Sequence, residues 1–251
     1  MGSTGSTWFA KLLNSHPDVL CTHEGVISRV HPAREYNEDD ILDFIDSLQA
    51  ATAHGAYRAI GDVGSVWMTH VSCLPAFSTA ILIRHPARTL HTRLRVFPND
   101  QSYSEIAEEV ARSIRIAWGL DLYAYEPIDQ IFLNDLLVFA SQTWAMNKVD
   151  LWIRIEDLSD LEYCQSALES LTGIHYPASL VLHARQNRVN VRTDPSLEIA
   201  DIMRHFSRRQ RNWYGELLSD AATLFGYNLW NDERAAPSFE EDLRADATNA
   251  S

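Results

Sequence analysis

The sequence predicts an α/β fold in which a doubly wound, parallel sheet is flanked by helices. Short apolar strand patterns alternate with helical patterns along most of the chain, an order that is typical of parallel sheets. In addition, residues 80–83 (AILI) form a continuous apolar run, as expected for a strand that is buried on both faces. Because ligands bind at the carboxyl ends of the strands in such sheets, we expect the functional site in the loops that follow the strands.

Apolar spacing and turn residues define the individual elements. Ile41, Phe44 and Leu48 recur at helical spacing, for example, whereas short apolar runs indicate strands. Residues 25–36 have mixed signals and are predicted as a loop, and a further helix is predicted to begin at Ser65. The predicted helices are 6–14, 39–53, 87–96, 104–124, 129–147, 156–171 and one or two within 196–225, and the predicted strands are 19–21, 57–60, 80–83 and one within VDLWIRIEDL.

Length and composition suit a single domain. The 251 residues, of which 46% are hydrophobic, can bury a sizeable core. We therefore expect one α/β domain over residues 1–230. Residues 231–251 are acidic and rich in alanine, which predicts a flexible C-terminal tail.

The charge balance excludes some partners. A net charge of −13 disfavours a broad surface for nucleic acids or anionic membranes, although a local basic cleft for a small anion is compatible with it. No apolar run approaches the roughly 18 residues of a membrane span. The three cysteines lack the spacing of a zinc site. We expect a cytoplasmic protein without a metal, a membrane span or a nucleic-acid partner.

The chain opens on a loop of small residues, GSTGST, that runs into the first helical pattern. Backbone N–H groups of such a loop at a helix N-terminus bind anions, and the hydroxyls of Ser6 and Thr7 can add hydrogen bonds. A helix-capping stretch with flexible glycines is an equal alternative. Because no lysine follows Gly5, the Walker A pattern is not met, and ordinary nucleotide hydrolysis is disfavoured.

A second candidate phosphate site follows the clearest strand. Arg84 stands at the end of that strand and Thr92 lies eight residues later, on the next predicted helix. A guanidinium can bind a phosphate through two hydrogen bonds, and a threonine hydroxyl can add another. Taken alone, an arginine that caps a strand and a threonine on a solvated helix face are the better explanation of the pattern.

Together these stretches resemble the sulfotransferases that use 3′-phosphoadenosine 5′-phosphosulfate (PAPS), in their bacterial and tyrosylprotein branches. In that family a K/R-S-G-T-T-W loop binds the 5′-phosphosulfate, and a strand ending in R-x-P/G-x-x-x-x-x-S holds the 3′-phosphate. The stretches LLNSHPDVLCTHEG, WIRIEDL and LLSDAATLFGYNL are also similar to the family, so the resemblance spans residues 2 to about 229. The matching cofactor residues are Ser3, Thr4, Gly5, Ser6, Thr7, Trp8, Arg84 and Thr92.

The resemblance implies a P-loop-like sheet and transfer of a sulfuryl group from PAPS to a hydroxyl or amine of a small-molecule or peptide acceptor. Glu24 falls on the acidic residue that acts as general base in the tyrosylprotein branch, with His23 in reserve; a solvated loop carboxylate is the alternative. Trp8 would stack on adenine, or belong to the core. Arg188, in a basic cluster with Arg185 and Arg192, is a candidate for the 3′-phosphate, with a solvated loop as the equal alternative.

One departure from the family concerns Ser3, which stands where the family has lysine or arginine. Loss of one such charge stabiliser typically costs ~10²–10³ in rate. The alternative function is therefore a catalytically weak or inactive homologue that binds PAPS or its desulfated product, adenosine 3′,5′-bisphosphate (PAP). A relative of the P-loop kinases is a third reading, disfavoured by the absent lysine.

The position of the opening loop leads to a further expectation. In a sheet of this kind a central strand precedes the phosphate loop, yet only Met1 precedes Gly2. We therefore expect that the first strand is missing from the N-terminus of this sequence and is encoded upstream. The structure should then have a slot beside the strand at residues 80–83.

Overall fold

A computed structural model describes residues 5–26, 38–64, 67, 77–96, 115, 119–186 and 197–231. The chain divides into two compact units. Unit 1 comprises Met1–Arg84 and Ala145–Val191, and unit 2 comprises His85–Trp144 and Arg192–Ser251. The prediction of one domain over residues 1–230 stays a prediction.

The described helices and strands follow the order that the sequence predicts, with one additional helix, α6 (Ala178–Gln186). The elements are α1 (Ser6–Leu13), β1 (Val19–His23), α2 (Glu38–Ala53), β2 (Ala59–Val63), β3 (Ala80–Ile83), α3 (Pro86–Val96), α4 (Pro127–Met146), β4 (Leu151–Arg154), a 3-10 turn (Asp157–Ser159), α5 (Leu161–Thr172), α6 (Ala178–Gln186), α7 (Ile199–Arg204) and α8 (Arg208–Leu224).

The four strands among the described residues belong to unit 1 and pair in parallel. β1 pairs with β2, so that Thr22 lies opposite Asp62 and His23 opposite Val63. β3 pairs with β4, and Ile83 lies opposite Arg154. The mixed α/β class with parallel strands is thus confirmed, but the described strands form two two-stranded sheets rather than one. The expectation of an upstream strand stays a prediction.

The core of unit 1 is built around α1. Leu12 is fully buried, and its neighbours on the same helix pack with Cys21 of β1 and Ile153 of β4. Val63 of β2 and Leu82 of β3 are partly buried against the same cluster. Each fully buried aliphatic side chain contributes ~1.5–3 kcal/mol. Because both sheets pack on α1, this core fixes the N-terminus of α1 relative to the strand ends.

The turn between α1 and β1 is held by Asn14. The Asn14 side-chain amide donates to the Cys21 carbonyl over 2.6 Å, and its oxygen accepts from the Cys21 N–H over 2.7 Å. The Tyr176 hydroxyl donates to the Leu13 carbonyl at the end of α1 over 2.8 Å. These bonds satisfy backbone groups that α1 and β1 would otherwise bury unpaired.

Two element boundaries differ from the predictions for local reasons. The strand predicted at 57–60 runs from Ala59 to Val63, which places Asp62 inside it. The helix predicted at 156–171 is interrupted, because the Asp160 side chain accepts from the Tyr163 N–H over 2.9 Å and so caps a new helix at Leu161. α6 was not predicted, and residues 119–124 are not helical although the predicted helix 104–124 extends over them.

Unit 2 is helical in its described part. An aromatic core includes Phe132 and Phe206, whose rings meet edge to face with centroids 5.1 Å apart. Ser207 begins α8 through a capping box with Gln210. Among the described helices of the whole chain, none is both long and apolar enough to cross a membrane.

Candidate functional site

The candidate site begins at Gly5, the N-cap residue of α1. Its backbone is left-handed, with φ 83°. A Cβ at this position would also lie 3.1 Å from Cδ1 of Ile155, the residue that follows β4. Glycine satisfies both constraints. The first N–H groups of a helix have no acceptor within it, so the start of α1 presents donors and the positive end of the helix dipole.

His23, the last residue of β1, reaches this helix start. Its Nε2 lies 3.0 Å from Oγ of Ser6 and 3.3 Å from Oγ1 of Thr7. The structure thus brings together two of the predicted phosphate ligands and the reserve candidate for the base. A neutral Nε2 lone pair can accept from one hydroxyl, whereas an imidazolium donates to them and adds positive charge beside the helix N-terminus.

Glu24 follows His23 in an unusual backbone conformation. Its φ is 54°, which makes it the single non-glycine residue with positive φ within the described ranges. The Glu24 N–H donates to the Val63 carbonyl over 3.0 Å, so the chain leaves β1 while still bonded to β2. A left-handed conformation costs a residue with a Cβ ~1–2 kcal/mol. Such strain occurs often at functional sites, which agrees with a role for Glu24.

The Glu24 carboxylate lies above Gly64, just after β2. A Cβ built on Gly64 would be 3.1 Å from Oε2 of Glu24 and 3.0 Å from Oδ2 of Asp62. The two carboxylates therefore approach the same small space at the carboxyl edge of the β1–β2 sheet. A side chain at position 64 would displace one of them.

Asp62 is a site residue that the sequence analysis missed. Its Oδ1 accepts from Oγ1 of Thr22 over 2.6 Å and from the N–H of Gly25 over 3.0 Å, and its Oδ2 accepts from Nε1 of Trp67 over 2.8 Å. The sequence did contain an indication of this residue, because its carboxylate lies in a stretch flanked by two glycines (GDVG) at the end of a strand. The strand prediction stopped too early to give that residue a place in the site.

Gly25 completes the turn after Glu24. A Cβ on Gly25 would lie 2.4 Å from Cζ of Phe44, which is buried in α2 with Ile41 and Leu48. Position 25 therefore tolerates only glycine without a shift of α2. This packing fixes the backbone on the C-terminal side of Glu24.

The remaining cofactor candidates have varied surroundings. Arg84 directly follows β3, as predicted, and is half-buried. Trp8 is buried in the core cluster of unit 1, which supports the core alternative over stacking on adenine. Thr92 belongs to unit 2, where it is 2% exposed and its hydroxyl donates to the Arg88 carbonyl over 2.9 Å. Phosphate binding by Thr92 would require that bond to be exchanged.

Three predicted site residues, Ser3, Thr4 and Arg188, lie outside the described residues, as does Arg192. Arg185, from the same basic cluster, donates to the carbonyls of Leu158 and Asp160. Its guanidinium therefore ties α6 to the turn before α5, which is a structural role.

Charge at the site edge also affects a buried thiol. Burial, together with the negative charge of Asp62, raises the pKa of Cys21 from 9.0 to about 12. The thiol is therefore protonated at neutral pH, and Cys21 is a poor nucleophile there. Within the described ranges, no three His, Cys, Asp or Glu side chains are grouped so that they could hold a metal ion.

No protein-family model matches the chain, and no curated protein matches it at a significant level.

Proposed function

We propose that the protein is a sulfotransferase that moves a sulfuryl group from PAPS to a hydroxyl or amine acceptor. The observation that carries the proposal is the meeting of the opening loop with the end of β1, where Ser6 Oγ and His23 Nε2 are 3.0 Å apart. Sulfuryl transfer needs an anion site next to a base: this juxtaposition supports the anion site, and Glu24, the proposed base, directly follows His23. The proposal includes a P-loop-like fold, a cytoplasmic location and a small-molecule or peptide acceptor.

The residues at the start of α1 fit an anionic cofactor. Gly5 has no Cβ to obstruct a phosphate, and the N–H groups and hydroxyls of Ser6 and Thr7 can donate to its oxygens. Arg84, at the end of β3, would bind the 3′-phosphate. When bound, PAPS supplies the activated sulfuryl group.

In this proposal Glu24 and His23 have different roles in the transfer. Glu24 would take the proton from the hydroxyl or amine of the acceptor molecule. The oxygen or nitrogen of that group attacks sulfur as the bond from sulfur to the 5′-phosphate breaks. His23, when protonated, donates toward the phosphate loop and supplies positive charge that Ser3 does not provide. His23 thereby serves the leaving phosphate rather than the acceptor.

A weak or inactive nucleotide-binding homologue is the second candidate function. It is favoured by Ser3, because the loop lacks the lysine or arginine that stabilises the leaving phosphate in the family the chain resembles. Both functions require PAP to bind, so turnover distinguishes them.

The test combines binding with turnover. PAP should raise the melting temperature of the purified protein far more than AMP does, because only PAP carries the 3′-phosphate that Arg84 would bind. At 100 times its Kd, a ligand adds ~2.7 kcal/mol to the free energy of unfolding. Arg84→Ala should reduce the PAP effect to that of AMP, whereas equal effects of both nucleotides on the native protein would contradict the assignment.

Turnover is measured as transfer of labelled sulfate from PAPS to a panel of hydroxyl and amine acceptors. Transfer to at least one acceptor supports the sulfotransferase. PAP binding without transfer or release of sulfate favours the inactive homologue.

A further inference from the structure

The Asp62 carboxylate accepts hydrogen bonds from residues on both sides of Glu24 in the chain. Thr22, two residues before Glu24, donates its hydroxyl to Oδ1 over 2.6 Å, and Gly25, one residue after it, donates its N–H to the same oxygen over 3.0 Å. Charge-assisted hydrogen bonds of this kind are about twice as strong as neutral ones. A single oxygen of Asp62 thus closes a turn that contains His23 and Glu24.

This turn needs restraint because of Glu24. A φ of 54° is unfavourable for a residue with a Cβ and persists only where the surroundings over-determine the conformation. The Glu24 N–H is bonded to Val63, and Gly25 is packed against Phe44. The bonds to Asp62 are the polar part of that restraint, and they act on both flanks of the strained residue.

The second oxygen of Asp62 fixes the carboxylate itself. Oδ2 accepts from Nε1 of Trp67 over 2.8 Å, so that both oxygens have donors and the side chain cannot turn without loss of a bond. Thr22 lies opposite Asp62 in the β1–β2 ladder. The register of the sheet therefore sets where the restraint acts.

We propose that Asp62 is a positioning residue that holds Glu24 in its left-handed conformation and thereby places the Glu24 carboxylate at the edge of the sheet. The role as an aid to catalysis rests on the proposed function, in which Glu24 is the base. The conformational role does not depend on it. Asp62 acts through Glu24 and does not itself contact the reacting groups.

The conformational role is tested with two variants at position 24. Glu24→Gly and Glu24→Ala both remove the carboxylate, but only glycine relieves the strain of a positive φ. With Asp62 present, the glycine variant should melt ~2–4 °C above the alanine variant. In an Asp62→Ala background the turn can relax, and the difference between the two variants should vanish.

Trp67→Phe provides the matched background, because it removes a donor to Asp62 but keeps both bonds that flank Glu24. The advantage of glycine over alanine should persist there. If Asp62→Ala does not fold, Thr22→Val replaces it, since it removes one of the two flanking bonds and should reduce the advantage. An equal advantage with and without Asp62, or none in the native background, would overturn the proposal.

Turnover then tests the consequence for catalysis. Asp62→Ala should lower kcat by ~10-fold or more while PAP affinity and the KM for PAPS stay within twofold, because the acceptor's base is misplaced, whereas His23 remains opposite Val63 in the β1–β2 ladder. Asp62→Asn, which keeps an acceptor oxygen for Thr22 and Gly25, should restore most of kcat. A parallel loss of PAP affinity would indicate general damage and contradict a positioning role.

If the native protein transfers no sulfate to any acceptor, the proposed function fails, and the melting comparison still decides the conformational role.

Discussion

The carboxyl ends of the two sheets in unit 1 bear polar residues that are arranged differently. At the end of β1 and β2, Glu24 is strained and half-buried, and its neighbour His23 bonds to hydroxyls at the start of α1. At the end of β4, Arg154 Nε donates to Asp157 Oδ2 over 2.6 Å in a pair whose side chains are 14% and 12% exposed. At the end of β1, a polar residue is held in a strained backbone conformation close to hydrogen-bond donors. At the end of β4, the charged side chains instead pair with each other.

This difference predicts where substitutions should affect the proposed chemistry and where they should affect stability. Strain persists at functional sites, where it holds groups ready to act. In a shielded ion pair the two charges compensate each other, so removal of one partner leaves a shielded charge uncompensated and lowers stability. The β1–β2 end is therefore the one where substitutions should change turnover, and the β4 end the one where they should change stability.

The largest effect is expected from Glu24→Gln. The amide cannot accept the acceptor's proton, so kcat should fall by ~10²–10⁴, the usual contribution of a general base. PAP affinity should stay unchanged because the side chain does not bind the cofactor. Steady-state kinetics and PAP titration provide the measurement.

Glu156→Gln is the matched control at the other end, since Glu156 follows β4 and is also half-buried. It should keep kcat within a few-fold of the native value. A Glu24→Gln variant that retains most of its turnover would move the base elsewhere, with His23 as the first candidate.

Ser3→Arg should have the next largest effect, in the opposite direction. An arginine at the start of the loop is always charged, whereas His23 supplies positive charge only when protonated, so the gain in kcat can approach the ~10²–10³ that such a donor contributes. Ser170→Arg adds the same charge on the exposed part of α5 and should leave kcat unchanged. An unchanged rate in Ser3→Arg would show that another cation, such as protonated His23, already serves the loop.

Asp157→Ala should act on stability rather than on turnover. It leaves the shielded Arg154 guanidinium without this partner, which should lower the free energy of unfolding by ~1–3 kcal/mol with kcat/KM preserved. Asp18→Ala breaks an ion pair with Arg58 whose side chains are 45% and 67% exposed, and should cost ~1 kcal/mol or less. Urea unfolding measures both, and equal losses would remove the contrast between the pairs.

At neutral pH the smallest effect is expected from Cys21, because the contribution of its thiol to stability changes only at alkaline pH. The pKa of Cys21 is raised from 9.0 to about 12, so the folded protein keeps a proton that the unfolded chain releases above pH 9. Stability conferred by this thiol is thus complete below pH 9 and declines as the pH rises toward 12. Cys21→Ala should flatten the loss of unfolding free energy between about pH 8 and about pH 10.5.

Cys164→Ala is the comparison, because burial raises the Cys164 pKa whereas the charge and hydrogen bond of Arg185 lower it. It should flatten the alkaline loss less than Cys21→Ala does. A larger effect of Cys164 would contradict the stronger rise of the Cys21 pKa, which burial and the charge of Asp62 cause.

The sequence could predict the parts of the site that depend on local pattern. The strand at Ala80–Ile83 was located correctly because its apolar run is continuous, and Arg84 accordingly follows it. The meeting of Ser6 with His23 follows from a helix start and a strand end at one edge of a parallel sheet. The sequence could not predict the conformation of Glu24 or the bonds of Asp62, because both depend on the register that sets Thr22 opposite Asp62.

Side-chain surroundings were predictable only in part. Thr92 was assigned to phosphate or to a solvated helix face, yet it is buried and bonded within its own helix. The periodicity of a helix identifies an apolar stripe but not which polar residues neighbouring elements will cover. Asp160 illustrates a related limit. Its side chain caps a new helix at Leu161 and so interrupts a stretch whose apolar pattern predicts one continuous helix.

The Asn14 side chain has a consequence for association between chains. Its amide occupies both the N–H and the carbonyl of Cys21, in the middle of β1, much as the backbone of an adjacent strand would. Unpaired groups along the outside of a sheet are templates on which other chains add and aggregate. With the central donor and acceptor of β1 engaged by Asn14, this strand offers no continuous row of such groups among the described residues, so we expect Asn14 to disfavour the addition of a foreign strand.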